Sequence, residues 1–188
     1  MLIPRTRREI WLNRVRVWLP VAFVAAGLAL RRPAWHWWGL PLVAAGEALR
    51  TWAAGHLVKD EQLTVGGPYA HLRNPLYLGS LLSALGLLAV VGDWRLAVVF
   101  LAVALAVYLP AVRQEEAYLR RMHGERFLAY RRAVPSLLPR LRPALLAGAG
   151  LRRERFQWAW VWRNHEHRTW LALVALFALL GLRAWWPR

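Results

Sequence analysis

One polar stretch of this chain combines several side chains that could bind or react. It runs from Gly66 to Gly79 (GGPYAHLRNPLYLG) and lies between strongly apolar segments. Its two Pro and three Gly would interrupt any helix that tried to pass through it. A His, an Arg, an Asn and two Tyr stand beside those interruptions. We interpret this stretch as half of a cofactor site.

The local pattern also predicts how the stretch is shaped. Asn74 precedes Pro75, so its backbone should be extended or turned. Pro75 suits the first turn of a following helix, with Asn74 as the cap of that helix. Free N–H groups at such a helix start attract anions, and Arg73 could fork onto a carboxylate. An ordinary helix cap with a basic flank fits the local pattern equally well.

A second group of charges lies within the preceding apolar segment. Glu47 and Arg50 are three residues apart and therefore share one face of a helix. Charges inside an apolar span are costly and are usually paired or functional. A structural ion pair, or an Arg50 that reaches back to the interface, is the alternative. The same helix could deliver His56 to the pocket.

The third group follows a later apolar segment, between Gln114 and Pro139. The pattern predicts a helix, a stop at Gly124, a short helix and then a strand or loop punctuated by Pro. Glu115 and Glu116 stand where the span meets water. They could simply balance charge in a basic protein, or they could bind an ammonium group or ribose hydroxyls.

The elements that carry these groups are predicted from the apolar runs. The chain has 188 residues, of which 58% are hydrophobic, and it has no Cys, which excludes disulfides and thiolate metal sites. We predict an all-α polytopic membrane protein with about five transmembrane helices. The predicted spans are Val15–Leu30, Trp35–Ala54, Leu76–Val91, Leu96–Val112 and Thr169–Trp186.

The basic residues predict an orientation in the membrane. With the N-terminus inside, 20 of the 26 Lys and Arg residues lie on the cytoplasmic side and five lie opposite. This predicts a cytoplasmic N-terminus, an external C-terminus and both polar connections on the cytoplasmic face. The net charge of +16 then suits an anionic membrane surface rather than nucleic acid. Trp residues at the span ends suit an interfacial belt or, alternatively, a wall for a lipid tail.

These motifs, taken in order, resemble a known superfamily. The series Gly67-Pro68-Tyr69, Arg73-Asn74-Pro75-Leu76-Tyr77-Leu78-Gly79, Glu115-Glu116 and Val134-Pro135 is similar to the isoprenylcysteine carboxyl methyltransferase and phospholipid methyltransferase superfamily. The resemblance covers about residues 40–141. It implies a helical membrane enzyme that uses S-adenosylmethionine at the cytoplasmic face, and we expect the protein in the inner membrane of a prokaryote. We divide the chain into this core, residues 1–143, and a C-terminal extension, residues 144–188.

The resemblance also implies roles for individual residues. Arg50 would lie near the reacting centre with Glu47 supporting it, and His56 would belong to the same catalytic group. The cofactor would be held by Tyr69, His71, Arg73, Asn74, Pro75, Tyr77, Gly79, Glu115, Glu116 and Tyr130. The family often carries His where this chain has Asn74. The acceptor would be a lipophilic amphiphile, either an isoprenylcysteine-type carboxylate or a phospholipid amine.

The reaction that such a site would perform is an in-line displacement, with water excluded. A carboxylate acceptor needs no base, and Arg50 could orient it, whereas an amine or thiol would need His56 or His71 as base.

Rival functions are a membrane reductase of the sterol type, which binds a nicotinamide dinucleotide, and a non-catalytic lipid-binding protein. His165-Glu166-His167 has poor spacing for a metal site, and we interpret Asn164–Arg168 as an interfacial polar collar.

Overall fold

The computed structural model describes residues 19, 21–23, 25–26, 36–58, 62–144 and 154–185. Within these ranges the regular structure is helical and no strand occurs, which confirms the all-α prediction for this part of the chain. The basic segment Met1–Arg16 and most of the first predicted span lie outside the described residues. The few described residues of that span are helical, and Leu19 and Phe23 pack against the core.

Five α-helices and one short 3-10 helix follow in chain order. They are α1 (Gly39–Ala54), the 3-10 helix (Gly67–Ala70), α2 (Pro75–Val91), α3 (Trp94–Ala133), α4 (Trp158–Arg163) and α5 (Glu166–Trp185). Four of them coincide with the second to fifth predicted spans. By length and composition, α3 is the one described helix that could cross a membrane, and α2 is apolar but has 17 residues. The number of five crossings stays a prediction.

The boundaries of α2 and α3 follow from local sequence. Pro75 occupies the first turn of α2, where a missing N–H costs nothing. Gly92 ends α2 in the left-handed region, with φ of 84°, which residues other than Gly rarely adopt. The Asp93 side chain then accepts hydrogen bonds from the N–H groups of Arg95 and Leu96. A tight turn at Gly92 and Asp93 therefore joins the two helices.

Gly124 divides α3 into a long apolar part and a short polar part. Its φ of 51° and ψ of −126° are not helical, so the chain changes direction there, as the predicted stop required. After Ala133 the chain leaves the helix and continues as a loop through residues 134–144. Of the two predicted alternatives for this segment, the loop is the one observed.

Pairs of glycines bring α1 and α2 into close contact. A Cβ atom added to Gly86 would lie 2.7 Å from the carbonyl oxygen of Gly39, and one added to Gly46 would lie 2.6 Å from that of Gly79. The two glycines of each helix are seven residues apart, so they lie along the same face. Small residues at such positions let helix backbones approach closely, which favours packing in an apolar medium.

The C-terminal helix packs on the core of the same chain. The core cluster consists of Val43, Ala84, Leu87, Leu88, Phe100 and Ala104. Leu173, Leu176 and Phe177 of α5 pack against it. The last helix therefore completes the helical bundle, although it follows the sequence motifs by many residues.

The glycine contacts predict opposite effects for two equivalent substitutions. Gly86→Ala should lower the free energy of unfolding by about 1–3 kcal/mol, because the new methyl group would overlap the backbone of α1. Gly181 lies in α5, and a Cβ added there would have nothing within 4 Å. Gly181→Ala should therefore raise the free energy of unfolding by up to about 1 kcal/mol. Thermal unfolding of the detergent-solubilised variants measures both. Equal effects of the two substitutions would contradict the packing described.

Candidate active site

Arg73 joins the first polar stretch to α3 and to the loop that follows it. Its Nε and Nη2 donate to Oε1 of Glu116, at 3.0 and 2.7 Å. Its Nη1 donates to the carbonyl oxygens of Arg131 and Val134, at 2.9 and 2.7 Å. The side chains of Arg73 and Glu116 are 10% and 14% exposed, so water screens the pair little. The predicted carboxylate partner of Arg73 is thus supplied by the protein itself.

The backbone of the stretch pairs with residues 134–144. The N–H groups of Arg73 and Asn74 donate to the carbonyl oxygens of Pro135 and Ser136, at 2.9 and 3.2 Å. In the opposite sense, Arg140 donates its N–H to the carbonyl oxygen of His71 at 3.1 Å. The stretch is therefore held in an irregular conformation by partners that are distant in sequence.

Asn74 occupies the predicted cap position, but its side chain does not cap α2. Its Nδ2 donates instead to the carbonyl oxygen and the hydroxyl of Ser136, at 3.2 and 3.1 Å. The prediction of a capping side chain is wrong because the neighbouring loop offers two acceptors to the amide. The Ser136 hydroxyl in turn donates to Oε1 of Glu116 at 3.1 Å, which extends the network.

The second carboxylate of the pair also faces this stretch. The Tyr77 hydroxyl donates to Oε2 of Glu115 at 3.1 Å, across 38 residues of sequence. The Tyr77 ring is buried and meets the edge of Tyr108, with ring centroids 5.4 Å apart. Glu115 and Glu116 therefore both contact the segment between Tyr69 and Tyr77, so the two polar segments of the chain meet here.

Tyr130 fastens the 3-10 helix to the polar part of α3. Its hydroxyl donates to the carbonyl oxygen of Tyr69 at 2.8 Å, and both residues are buried. Burial raises the pKa of the Tyr130 hydroxyl well above its usual range, so the group stays protonated at physiological pH. Tyr130 thus acts as a hydrogen-bond donor that holds the 3-10 helix against α3, and contact of Tyr69 or Tyr130 with a cofactor stays a prediction.

The two candidate bases have similar hydrogen bonds. Nδ1 of His56 lies 2.9 Å from the carbonyl oxygen of Trp52, and Nδ1 of His71 lies 2.8 Å from that of Arg140. A carbonyl only accepts, so Nδ1 is the donor in each ring. The Trp52 ring lies between them, near both His56 and His71, and His56 is also buried against Phe156. In each ring Nε2 is therefore the nitrogen not used in this hydrogen bond.

Arg50 stands at the centre of a separate polar cluster between helices. Its Nη2 donates to both carboxylate oxygens of Glu166 at 2.9 Å and to the Thr169 hydroxyl at 3.2 Å. Its Nη1 donates to the Ser80 hydroxyl. Glu47 is more loosely placed, with Oε1 3.8 Å from Nε of Arg50. The predicted Glu47–Arg50 neighbours are thus observed together, but the stronger partner of Arg50 is Glu166.

Pro75 and Gly79 serve the shape of this region. Pro75 is the buried first residue of α2. A Cβ added to Gly79 would lie 2.6 Å from Cγ of Arg50. The Arg50 side chain therefore crosses α2 at a position where the residue of α2 has no side chain. The structure gives Gly79 a packing role beside Arg50, and direct contact of Pro75 or Gly79 with a cofactor stays a prediction.

Comparison with known proteins gives a family. A family model described as phospholipid methyltransferase matches residues 34–126. The "Protein-S-isoprenylcysteine O-methyltransferase" of Schizosaccharomyces pombe is 31% identical over 119 residues. The "Protein-S-isoprenylcysteine O-methyltransferase B" of Arabidopsis thaliana is 31% identical over 120 residues. The chain belongs to this methyltransferase superfamily.

The matched regions cover only part of each of these similar proteins. The alignments cover 63% and 55% of this chain, and 48% and 61% of the fission yeast and plant proteins. The "Cobalt-zinc-cadmium resistance protein CzcN" of Cupriavidus metallidurans is 35% identical over 142 residues, which are 69% of this chain and 65% of that protein. The chain thus spans about half to two thirds of the length of these relatives. No solved structure matches it significantly.

Glu166 lies beyond the part of the chain that matches the family model, and sequence reasoning missed its pairing with Arg50. The interfacial collar at Asn164–Arg168 stays a prediction, but two of its residues have partners within the protein. The Asn164 amide donates to the carbonyl oxygens of Ala54 and Leu57, and Glu166 is buried against Arg50. A lone acid at the start of an apolar helix is a signal for burial or pairing. Its partner, 116 residues away, cannot be deduced from that signal.

The Arg73 network predicts a large cost for removing its guanidinium. Arg73→Gln should lower the free energy of unfolding by about 3 kcal/mol, because it leaves Glu116 and two carbonyl groups without their shared donor. Arg131→Gln is the matched control, since that side chain is 53% exposed and 3.9 Å from Glu116, and should change it by less than about 0.5 kcal/mol. Chemical denaturation in detergent compares the two. Similar losses for both variants would show that Arg73 has no special structural role.

Proposed function

We propose that this chain is an S-adenosylmethionine-dependent membrane methyltransferase that acts on an amphiphilic acceptor at the cytoplasmic face. Membership of the superfamily and the similarity to two isoprenylcysteine O-methyltransferases support this reaction class. The observation that carries the proposal is the meeting of two polar segments, Tyr69–Tyr77 and Glu115–Glu116, through the bonds made by Arg73 and Tyr77.

The charges of this site fit the proposed donor. Two carboxylates lie here side by side, and two guanidinium groups, the buried one of Arg73 and the more exposed one of Arg131, both reach Glu116. S-adenosylmethionine has a sulfonium and an ammonium group that could bind to carboxylates and a carboxylate that could bind to guanidinium, so the site offers both kinds of partner. In the described part of the chain, Oε1 of Gln114 is buried and has no hydrogen-bond partner, which suits a site that completes its bonds with a ligand.

Each residue group would then have a separate task. Glu115 would accept hydrogen bonds from the ammonium or ribose groups, and Arg73 holds Glu116 in place for the same purpose. His71, Asn74, Pro75, Gly79 and Tyr130 would shape the walls. S-adenosylmethionine supplies an electrophilic methyl group on sulfur. The buried setting of Tyr77 and Tyr130 excludes water from these contacts.

The acceptor would meet the cluster around Arg50, next to the donor site. Tyr77 and Ser80 are three residues apart on α2, and they contact Glu115 and Arg50 respectively. Glu47 flanks Arg50, and His56 would accept the proton of an amine or thiol acceptor at its Nε2. A carboxylate acceptor would need no base. This arrangement supports assigning Arg50, Glu47 and His56 to the acceptor side.

The membrane orientation is part of the same proposal. The excess of Arg in the segments that carry the polar site supports a cytoplasmic site in a prokaryotic inner membrane, with the N-terminus inside and the C-terminus outside. The lipophilic tail of the acceptor would lie in the bilayer. We keep residues 1–143 as the methyltransferase core and residues 144–188 as an extension that packs upon it.

Cofactor binding tests the proposal directly. Purified protein in lipid nanodiscs should bind S-adenosylmethionine by calorimetry and should not bind NADPH, the cofactor of the rival reductase. Glu115→Gln should weaken binding by about tenfold or more, because a charge-assisted hydrogen bond is lost. Glu125→Gln removes the same charge from an exposed site and should leave binding unchanged.

Transfer of a radiolabelled methyl group from S-adenosylmethionine to the amphiphiles of a lipid extract then tests the reaction. Labelled, organic-soluble product is expected. Absence of S-adenosylmethionine binding by the folded wild-type protein, or binding of NADPH in its place, would refute the proposed function.

A further inference from the structure

The C-terminal segment docks on the acceptor side of the proposed site. Its Gln157 N–H donates to the carbonyl oxygen of Gly55 at 2.8 Å, at the end of α1. The Asn164 amide donates to the carbonyl oxygens of Ala54 and Leu57, both at 3.0 Å. Phe156 lies against His56, with ring centroids 5.8 Å apart. These contacts fix the start of α5 beside the end of α1, and the C-terminal residue in each of them lies outside the family match at residues 34–126.

This docking delivers one carboxylate to Arg50. The Glu166 side chain is 5% exposed, and both of its oxygens lie 2.9 Å from Nη2 of Arg50. A charge pair so well shielded from water interacts much more strongly than a surface pair. Thr169, on the next turn of α5, also accepts from Nη2. Two residues of α5, Glu166 and Thr169, therefore bind the same nitrogen of Arg50, so the contact is a specific part of the packing of α5.

The contact changes what Arg50 can bind. Nη2 is engaged by Glu166 and Nη1 by Ser80, so neither terminal nitrogen presents a free fork to a second carboxylate. Among the donors left over, Nε is buried without a hydrogen-bond partner in the described residues, but it lies 3.8 Å from Oε1 of Glu47, so an anion that approached it would also meet a carboxylate. With Glu166 paired to Arg50 and Glu47 beside it, the cluster has no excess of positive charge to attract an anion.

Glu47 points to the same selectivity. Its Oε1 accepts from the Ser83 hydroxyl at 2.8 Å. Its Oε2 is buried and has no hydrogen-bond partner among the described residues. An acceptor head group that donates a hydrogen bond would satisfy this oxygen, whereas a carboxylate head group would add repulsion.

We propose that Glu166 is a specificity-determining residue of the acceptor site, and that its pairing with Arg50 selects against acceptors with an anionic head group. The inference rests on the proposed function, which assigns Arg50 to the acceptor. It extends that function to a residue of the C-terminal extension. Removal of the Glu166 charge frees Arg50 and makes the net charge of the cluster more positive by one unit, and the site then accepts a carboxylate head group.

Two amphiphiles with the same tail and spacer test this selectivity. One is 3-(farnesylthio)propanoate, with a carboxylate head group, and the other is 2-(farnesylthio)ethylamine, with an ammonium head group. Their binding to the full chain in nanodiscs is measured by quenching of Trp fluorescence, without S-adenosylmethionine. Wild-type protein should bind the amine more tightly. Glu166→Gln should shift the ratio of the two dissociation constants toward the carboxylate by about tenfold or more.

Three further variants separate a role in specificity from a role in structure. Glu166→Asp keeps the charge and should keep the wild-type ratio. Thr169→Val removes a neutral contact of the same Nη2 and should also keep it. Glu125→Gln removes an exposed charge elsewhere and should have no effect. A ratio that shifts equally in Thr169→Val and Glu166→Gln would show that Glu166 only holds α5 in place.

Other outcomes overturn the inference without reference to catalysis. Preference of the wild-type protein for the carboxylate probe, an unchanged ratio in folded Glu166→Gln, or absence of binding of either probe would each refute it. Because these measurements contain no methyl donor, they decide the role of Glu166 even where S-adenosylmethionine fails to bind. Failure to bind that donor would instead refute the proposed methyltransferase function.

Discussion

Four hydrogen bonds from one guanidinium, that of Arg73, hold together segments that the chain brings in from different directions. The Arg73 side chain reaches from the start of α2 to Glu116 on the long part of α3, and to the carbonyl oxygens of Arg131 and Val134 beyond the Gly124 bend. The loop that follows then pairs with the backbone of the first polar stretch. The position of Glu115 opposite Tyr77 depends on this arrangement, because Glu115 adjoins Glu116 in sequence.

The local features of the fold could be predicted because they depend on near neighbours. Pro75, Gly92 and Gly124 set helix boundaries through steric limits on their own backbones, and the apolar runs define the helices between them. The partners of side chains that are distant in sequence could not be predicted. Asn74 bonds Ser136 rather than capping α2, and Arg50 bonds Glu166 across 116 residues. Which acceptor a long or amide side chain selects is decided by the packing of helices, and a single sequence does not contain that geometry.

Helix α2 connects the two polar clusters. Its face carries Tyr77 toward Glu115 and, about one turn later, Ser80 toward Arg50. In the proposed reaction this places donor and acceptor sides next to each other on one rigid element, which is a favourable arrangement for an in-line transfer. The glycine contacts with α1 fix the position of α2, and α5 closes the acceptor side from the part of the chain outside the family match.

The central claim is that the first polar stretch and the Glu115–Glu116 pair form a single site for S-adenosylmethionine. Amide hydrogen exchange of the full chain in nanodiscs, with and without S-adenosylmethionine, tests it most directly. Bound ligand should slow exchange both in residues 66–74 and in residues 112–120, because contacts on both sides of one site stabilise both segments together. Slower exchange in only one of these segments, or in neither, would contradict the account.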